Sequence, residues 1–233
     1  MIYGIFHKGS GLGNQLHRYV GIRCKAIDNN ENFGMVAPDL FKGQFMNLDM
    51  GDAITDYSIE MPSGRVVPES SVDVIDGEFQ GEEVWEKHID KVREWLKVEP
   101  LEMTDNLCVI NFRGGEYVGV PDLFLPQAYW DLAIKEMIEC NPEMRFEVHT
   151  DDPDTAKRFF PHFDIYTGIG FNWRSIRYAK NLILSNSSFA ILPANLNEDT
   201  NVIAPKYWAR YNTKEWINPD NNYKKFTYIH HED

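Results

Sequence analysis

An α/β fold built on a mostly parallel sheet is predicted by three observations. The second half of the chain alternates short β-like runs with helical stretches. The clearest run, from Leu107 through Ile110 to Phe112, is apolar almost throughout, as a strand buried on both faces is. The chain also opens as strand, Gly-rich turn and helix. Connections of this length join parallel strands through crossover helices that cover both faces of the sheet.

The elements follow in order. A β-like run at 2–6 leads into Gly9-Ser10-Gly11-Leu12-Gly13-Asn14 and then a helix over 15–29. Closely spaced glycines permit positive φ and let a ligand approach the backbone. Strands are expected at 33–37 and 72–75, with an irregular region over 38–68 where Gly and Pro are scattered. Residues 82–97 predict a helix, because Trp85, Ile89, Val92 and Leu96 recur on one face. Val98-Glu99-Pro100 ends it, since proline disfavours a helical residue before it. The domain boundary is placed near 98–105, giving domains 1–100 and 101–210 and a C-terminal tail 211–233 whose last three residues are expected to be disordered. The second domain reads strand 107–112, helix 127–140, strand 145–150, helix 154–160, strand 164–167, helix 174–181, and strands at 182–184 and 202–204. Trp85, Trp95 and Trp130 are expected in the core or at an interface.

Composition excludes several classes. The 233 residues carry a formal net charge of −13, against nucleic-acid or anionic-membrane surfaces, which need clustered Lys and Arg. The three cysteines, Cys24, Cys108 and Cys140, are far apart and odd in number, which points to a reducing, cytoplasmic compartment. The seven histidines show no metal-ligand spacing on a helix, and no metal is expected. No window approaches the roughly 18–20 apolar residues that span a bilayer.

Parallel sheets bind ligands beyond the carboxyl ends of their strands, so residues just after the strands carry the functional argument. The Gly9–Asn14 loop fits neither standard phosphate loop: Asn14 stands where a dinucleotide fingerprint needs Gly or Ala, and no Gly-Lys-Ser/Thr is present. It is a structural turn or a ligand contact. Arg113 directly follows the buried strand 107–112 and precedes Gly114 and Gly115. A charge there is costly unless an anion meets it, and guanidinium binds phosphate as a planar fork. The other reading pairs Arg113 with a structural carboxylate, for which Glu116 is close enough. After the next strand, Asp152-Pro153 is a helix start with Asp as N-cap, whereas Asp151 or Asp152 could accept from the N–H edge of a guanine. After strand 182–184 comes Ser185-Asn186-Ser187-Ser188, which can cap a helix or donate to a phosphate.

In this combination the chain resembles the bacterial-type α-1,2-fucosyltransferases, glycosyltransferase family 11. Ser10 to Tyr19 is similar to the family's G-G-L-G-N-Q-L-F-Q-Y, and Gly77 to Glu82 to its G-Y-F-Q-S-E. Asn111 to Tyr117 corresponds to H-x-R-R-G-D-Y, with Arg113 as the first Arg. Thr150 to Pro153 matches S-D-D-P, Leu184 to Phe189 matches I-S-N-S-S-F, and Ile203 to Trp208 matches I-A-P-x-x-W. Asn111 replaces the motif's His, Gly114 its second Arg and Glu116 its Asp, and the family's Trp pair after Phe189 is Ala190-Ile191 here. The resemblance implies a GT-B-like architecture of two Rossmann-like domains facing a cleft, with GDP-fucose on the C-terminal domain and a glycan acceptor on the N-terminal one. It implies Arg113 at the β-phosphate, Ser187 and Ser188 near the phosphates, Asp151 or Asp152 near the guanine, Asn111 in the donor site, and Gly13 and Asn14 lining it from the other domain. Glu116 is the nearest carboxylate, as base or as orienter of Arg113, and catalysis is implied to need no metal. Two other readings stay open: a non-catalytic glycan- or nucleotide-binding relative, and a nicotinamide-dependent oxidoreductase suggested only by the first Gly-rich loop.

Overall fold

The computed structural model describes residues 1–209 and 223–229, and the expected disorder of His231, Glu232 and Asp233 lies outside them. The chain divides into two compact units, Met1–Val98 and Glu99–Asp233.

In the first unit, β1 (Ile2–Ile5) and β2 (Phe33–Val36) pair in parallel, joined by α1 (Leu12–Asn29). Single parallel bridges, Tyr3 to Val74 and Val36 to Ile54, continue the layer on either side. The strand expected at 72–75 is thus reduced to one bridging position. Within the region expected to be irregular, β3 (Tyr57–Glu60) and β4 (Arg65–Pro68) form an antiparallel hairpin. Its Tyr57, Ile59 and Val66 close over Ile5, Val36 and Ala37, so a short alternating pattern suffices once a core face is there to receive it.

The helix expected over 82–97 is broken. Residues Glu82–Val84 and Glu86–His88 are separate 3-10 turns, and only α2 (Ile89–Trp95) is α-helical. The reason lies in two side-chain demands. Trp85 leaves helical dihedrals (φ −129, ψ −10) and is 2% exposed, while Lys87 and His88 both reach Asp28 of α1, at 2.6 and 2.8 Å. Tertiary contacts here outweigh the helical pattern.

The second unit is a six-stranded, all-parallel sheet. Its strands are β5 (Leu107–Phe112), β6 (Arg145–Thr150), β7 (Asp164–Tyr166), β8 (Asn181–Ile183), β9 (Asn201–Pro205) and β10 (Thr227–Ile229), the last falling in the segment expected as a tail. Their spatial order is β10-β9-β8-β5-β6-β7. The chain therefore starts at the middle, builds outward through β6 and β7, and returns to build the other half, which is the doubly wound order of dinucleotide-binding sheets. α3 (Gln127–Cys140) and α4 (Pro153–Phe159) make the crossovers of the first half, and α5 (Ile169–Tyr178) and α6 (Ser188–Leu196) those around β8. Cys108, Ile110 and Phe112 of β5 pack against Tyr129, Trp130 and Met137 of α3. On the opposite face His149 of β6 meets Phe171 and Asn172 of α5. No helix among the described residues is long and apolar enough to cross a membrane.

Candidate active site

The order in which strands are added to the second unit's sheet reverses between β5 and β8, and the segments following these two strands flank the point where such sheets hold ligands. Parallel register fixes what meets there. Phe112 pairs with Thr150, so the next residues, Arg113 and Asp151, emerge side by side. Arg113 Nη1 donates to Asp151, and its Nη2 donates to Glu116 at 3.0 Å. The Tyr117 ring lies 5.3 Å from the guanidinium. Burial raises the Tyr117 phenol above its ordinary value, with Arg113 opposing the shift.

The paired glycines and paired aspartates fit one another. Gly114 N–H donates to Asp151 Oδ1 at 3.0 Å, and Gly115 N–H to Asp152 Oδ2 at 3.2 Å. A Cβ on Gly114 would come 2.6 Å from Asp152 Cβ, and one on Gly115 would come 2.6 Å from Asp151 Oδ2. Gly115 also has φ +44, in the left-handed region that side chains disfavour. Only two residues without Cβ atoms let both carboxylates approach this backbone.

Asp152 is the N-cap of α4, accepting from Thr155 N–H at 3.0 Å, with Pro153 in the first turn. Thr155's hydroxyl and then its N–H hold the Asp152 carboxyl below its ordinary value. Asp152→Ala is expected to cost about 1 kcal/mol near neutral pH, the usual worth of such a cap, read as a lowered urea midpoint. Because the native carboxyl titrates low, this stabilisation is present above the ordinary carboxylate range and is lost as pH falls through the lowered value. The difference between the two proteins should therefore shrink in acid.

Beside this cluster, Asn111 is 5% exposed and accepts from Ser185 Oγ at 2.7 Å, while Ser185 N–H donates to Asn111 O at 3.0 Å. This link ties the ends of β5 and β8 together. Ser187 is the N-cap residue of α6, so the first turn of that helix begins directly after the β8 end. Ser187 is buried and Ser188 half-buried.

The expected site residues thus fall into three groups. Arg113, Glu116, Asp151 and Asp152 form one cluster, and Asn111 with Ser187 and Ser188 lies around the β8 end. Gly13 and Asn14 belong to the first unit, in the first turn of α1, where Gln80 Nε2 stands 3.4 Å from Asn14 Oδ1. Asp151, expected at a guanine edge, is engaged by Arg113 and Gly114, and Asp152 by its helix. Ser185 and Tyr117 carry contacts for which their motif positions gave no assigned role. Among the described residues, no group of three or more His, Cys, Asp and Glu could hold a metal ion.

No family model matches the sequence, and no curated protein matches it. Solved structures do share its architecture. A glycosyl transferase family 9 structure from Veillonella parvula DSM 2008 matches with a TM-score of 0.55 at 12% identity, over 98% of this chain and 85% of that one. The E. coli heptosyltransferase WaaC with ADP-2-deoxy-2-fluoro heptose matches with a TM-score of 0.50 at 12% identity, over 98% and 93%. Likeness at this identity speaks to fold alone, and the fold is the α/β, GT-B-like fold of glycosyltransferases.

Proposed function

We propose that the protein is an inverting glycosyltransferase that moves fucose from GDP-fucose to a hydroxyl of a glycan acceptor, a terminal galactose in α-1,2 linkage, without a metal. One observation carries the donor site: Arg113 and the start of α6 flank the switch point between β5 and β8. A guanidinium and a helix N-terminus both favour a diphosphate there. The resemblance to family 11 supplies the sugar and the linkage.

In this reading the Ser187–Ser188 turn and Arg113 hold the diphosphate. Asp151 and Glu116 use two of the five guanidinium N–H groups, which leaves three to donate to a phosphate. As the sugar–phosphate bond breaks, negative charge gathers on the departing GDP, and a fixed donor at that point is worth about 3 kcal/mol. Two carboxylates hold the donor in place before the substrate arrives. Asp151 and Asp152 keep the neighbouring backbone in shape and lie on the guanine side, and Asn111 braces β5 against β8. The acceptor hydroxyl attacks opposite the leaving group, which inverts the anomeric centre, and gives up its proton to a base. Glu116, 3.0 Å from Arg113 Nη2 with 76% of its side chain exposed, is the carboxylate offered as that base or as the orienter of Arg113.

A second reading, a non-catalytic binding relative, is favoured by a specific feature. Arg113 is already paired with two carboxylates, and the chain lacks the second Arg of the motif at Gly114. Calorimetric titration in EDTA separates the two. GDP-fucose is expected to bind in preference to GDP-mannose, UDP-galactose and NAD, and Arg113→Ala to weaken it about tenfold or more, about 1.4 kcal/mol. Binding with transfer of fucose to a glycan and release of GDP identifies the transferase, and binding without turnover the relative. If no GDP compound binds, the donor site is refuted.

A further inference from the structure

A pocket of about 140 Å³ lies wholly within the first unit, at the carboxyl ends of its parallel strands. His7 follows β1, and Asp76 follows the residue pair Val74–Ile75 that runs alongside Tyr3. The pocket has two kinds of wall. Val66, Pro68 and Val74 make an apolar side, and His7, Arg65 and Asp76 a polar one.

The polar side is organised around one carboxylate. Val66 N–H donates to His7 Nδ1 at 3.1 Å, which leaves the ring hydrogen on Nε2, and Nε2 donates to Asp76 Oδ2 at 3.0 Å. Arg18, whose side chain is only 10% exposed, places Nη2 3.5 Å from the other oxygen of Asp76. Arg18 is itself fixed by Gly77 O at 3.1 Å and Glu78 Oε1 at 2.9 Å. Asp76 nevertheless keeps 51% of its side chain exposed. It is a held acceptor at a pocket mouth, with its charge partly offset by Arg18.

These features select the ligand. The Asp76 carboxylate opposes an anion, Arg18 beside it and Arg65 in the same wall oppose a free cation, and neutral hydroxyls donate to the carboxylate readily. Beside it stands an aliphatic wall suited to C–H surface. A sugar ring offers both, hydroxyls on its rim and an apolar face. The volume lies below the roughly 300–1,000 Å³ of drug-sized sites and suits one ring.

We infer that this pocket binds a single pyranose ring, with Asp76 accepting from a ring hydroxyl and His7 and Arg18 positioning Asp76. The inference rests on the transferase reading only in naming that ring as the acceptor's sugar.

The test is a titration of the full chain with methyl β-D-galactopyranoside, followed by the NMR signal of the His7 ring. A saturable shift is expected, weakened about tenfold or more in Asp76→Asn, while GDP-fucose affinity in that variant stays unchanged. A second variant, His7→Gln, keeps a donor to Asp76 and is expected to retain glycoside binding, read by ligand-observed NMR. No saturable shift in the natural protein, or equal affinity in Asp76→Asn, overturns the inference. The two readings fail separately: glycoside binding with no GDP compound bound sinks the transferase alone, and GDP-fucose binding with no glycoside bound sinks the pocket alone.

Discussion

Phe112→Ala is expected to cost about 3–5 kcal/mol of stability, the range for emptying a large aromatic from a packed core. Phe112 is the last residue of β5 and is 1% exposed. Its ring centroid lies 5.2 Å from that of Phe159, 5.4 Å from Trp130, 5.5 Å from Phe160 and 6.0 Å from Phe124. These partners come from α3, α4 and the loops beside them, so the cavity would open where the central strand meets two crossover helices. Four aromatic neighbours cannot collapse onto it without leaving their own partners, as the Phe160 contacts with Trp130 and Phe163 indicate. The next residue is Arg113, and the two share one stretch of backbone. Loss of stability should therefore be accompanied by weaker donor binding, measured under conditions where the variant remains folded. The check is urea unfolding followed by tryptophan fluorescence, which sees Trp130 directly. A loss under about 1 kcal/mol would mean that the ring does not anchor the strand.

Most of the second unit was legible in the sequence because its central strands are buried on both faces and α3 and α4 begin where expected. By contrast, α5 runs over Ile169–Tyr178 in place of the expected 174–181, and β10 lies in the expected tail. The run at 107–112 and the Asp152-Pro153 start both carry their geometry in local chemistry. The first unit was less legible for the opposite reason. Its outer strands shrink to single bridges at Val74 and Ile54, and its hairpin is defined by what it covers rather than by its own pattern. The helix expected over 82–97 has the right apolar face but loses continuity to the contacts of Lys87 and His88 with Asp28, which no periodicity reports. At the site, Glu116 was visible as a partner of Arg113 from its spacing of three residues. Asp151 was not, because only the pairing of Phe112 with Thr150 brings it alongside. His7 and Asp76 are 69 residues apart, and the one available sign was that His7 follows a strand end, the same position that singles out Arg113. At the site, what was missed is which strand ends lie side by side, a long-range matter that residue type does not report.

Stability is expected to fall by about 3 kcal/mol between neutral pH and about pH 4 through His149 alone. Its ring is fully buried, stacked at 5.3 Å on Tyr166 and facing Phe171 at 5.3 Å. Nδ1 stands 3.2 Å from Asn172 Oδ1, and Asn172 Nδ2 donates to Thr150 O at 3.2 Å, so the imidazole props the backbone just before Asp151. Nε2 has no hydrogen-bond partner among the described residues, and the nearest acid, Glu147, is 3.8 Å away. Burial also pushes the Glu147 carboxyl upward, so that neighbour offers the ring less negative charge as the solution is acidified. Desolvation lowers the His149 pKa from 6.5 to about 4. Above pH 6.5 the ring is neutral in the folded and unfolded chain alike, and it makes no difference to their balance. Between 6.5 and about 4 the unfolded chain binds a proton that the native ring refuses, so unfolding gains about 1.4 kcal/mol for each pH unit. Carboxylates elsewhere add their own acid dependence, which His149→Gln shares. The measurement is therefore the difference between the two proteins in urea unfolding, taken at about pH 7.5 and about pH 4.5. The natural protein should lose more over that interval than the variant. Parallel curves would show that the native ring takes up its proton as readily as an exposed histidine, and would place water or a carboxylate at Nε2.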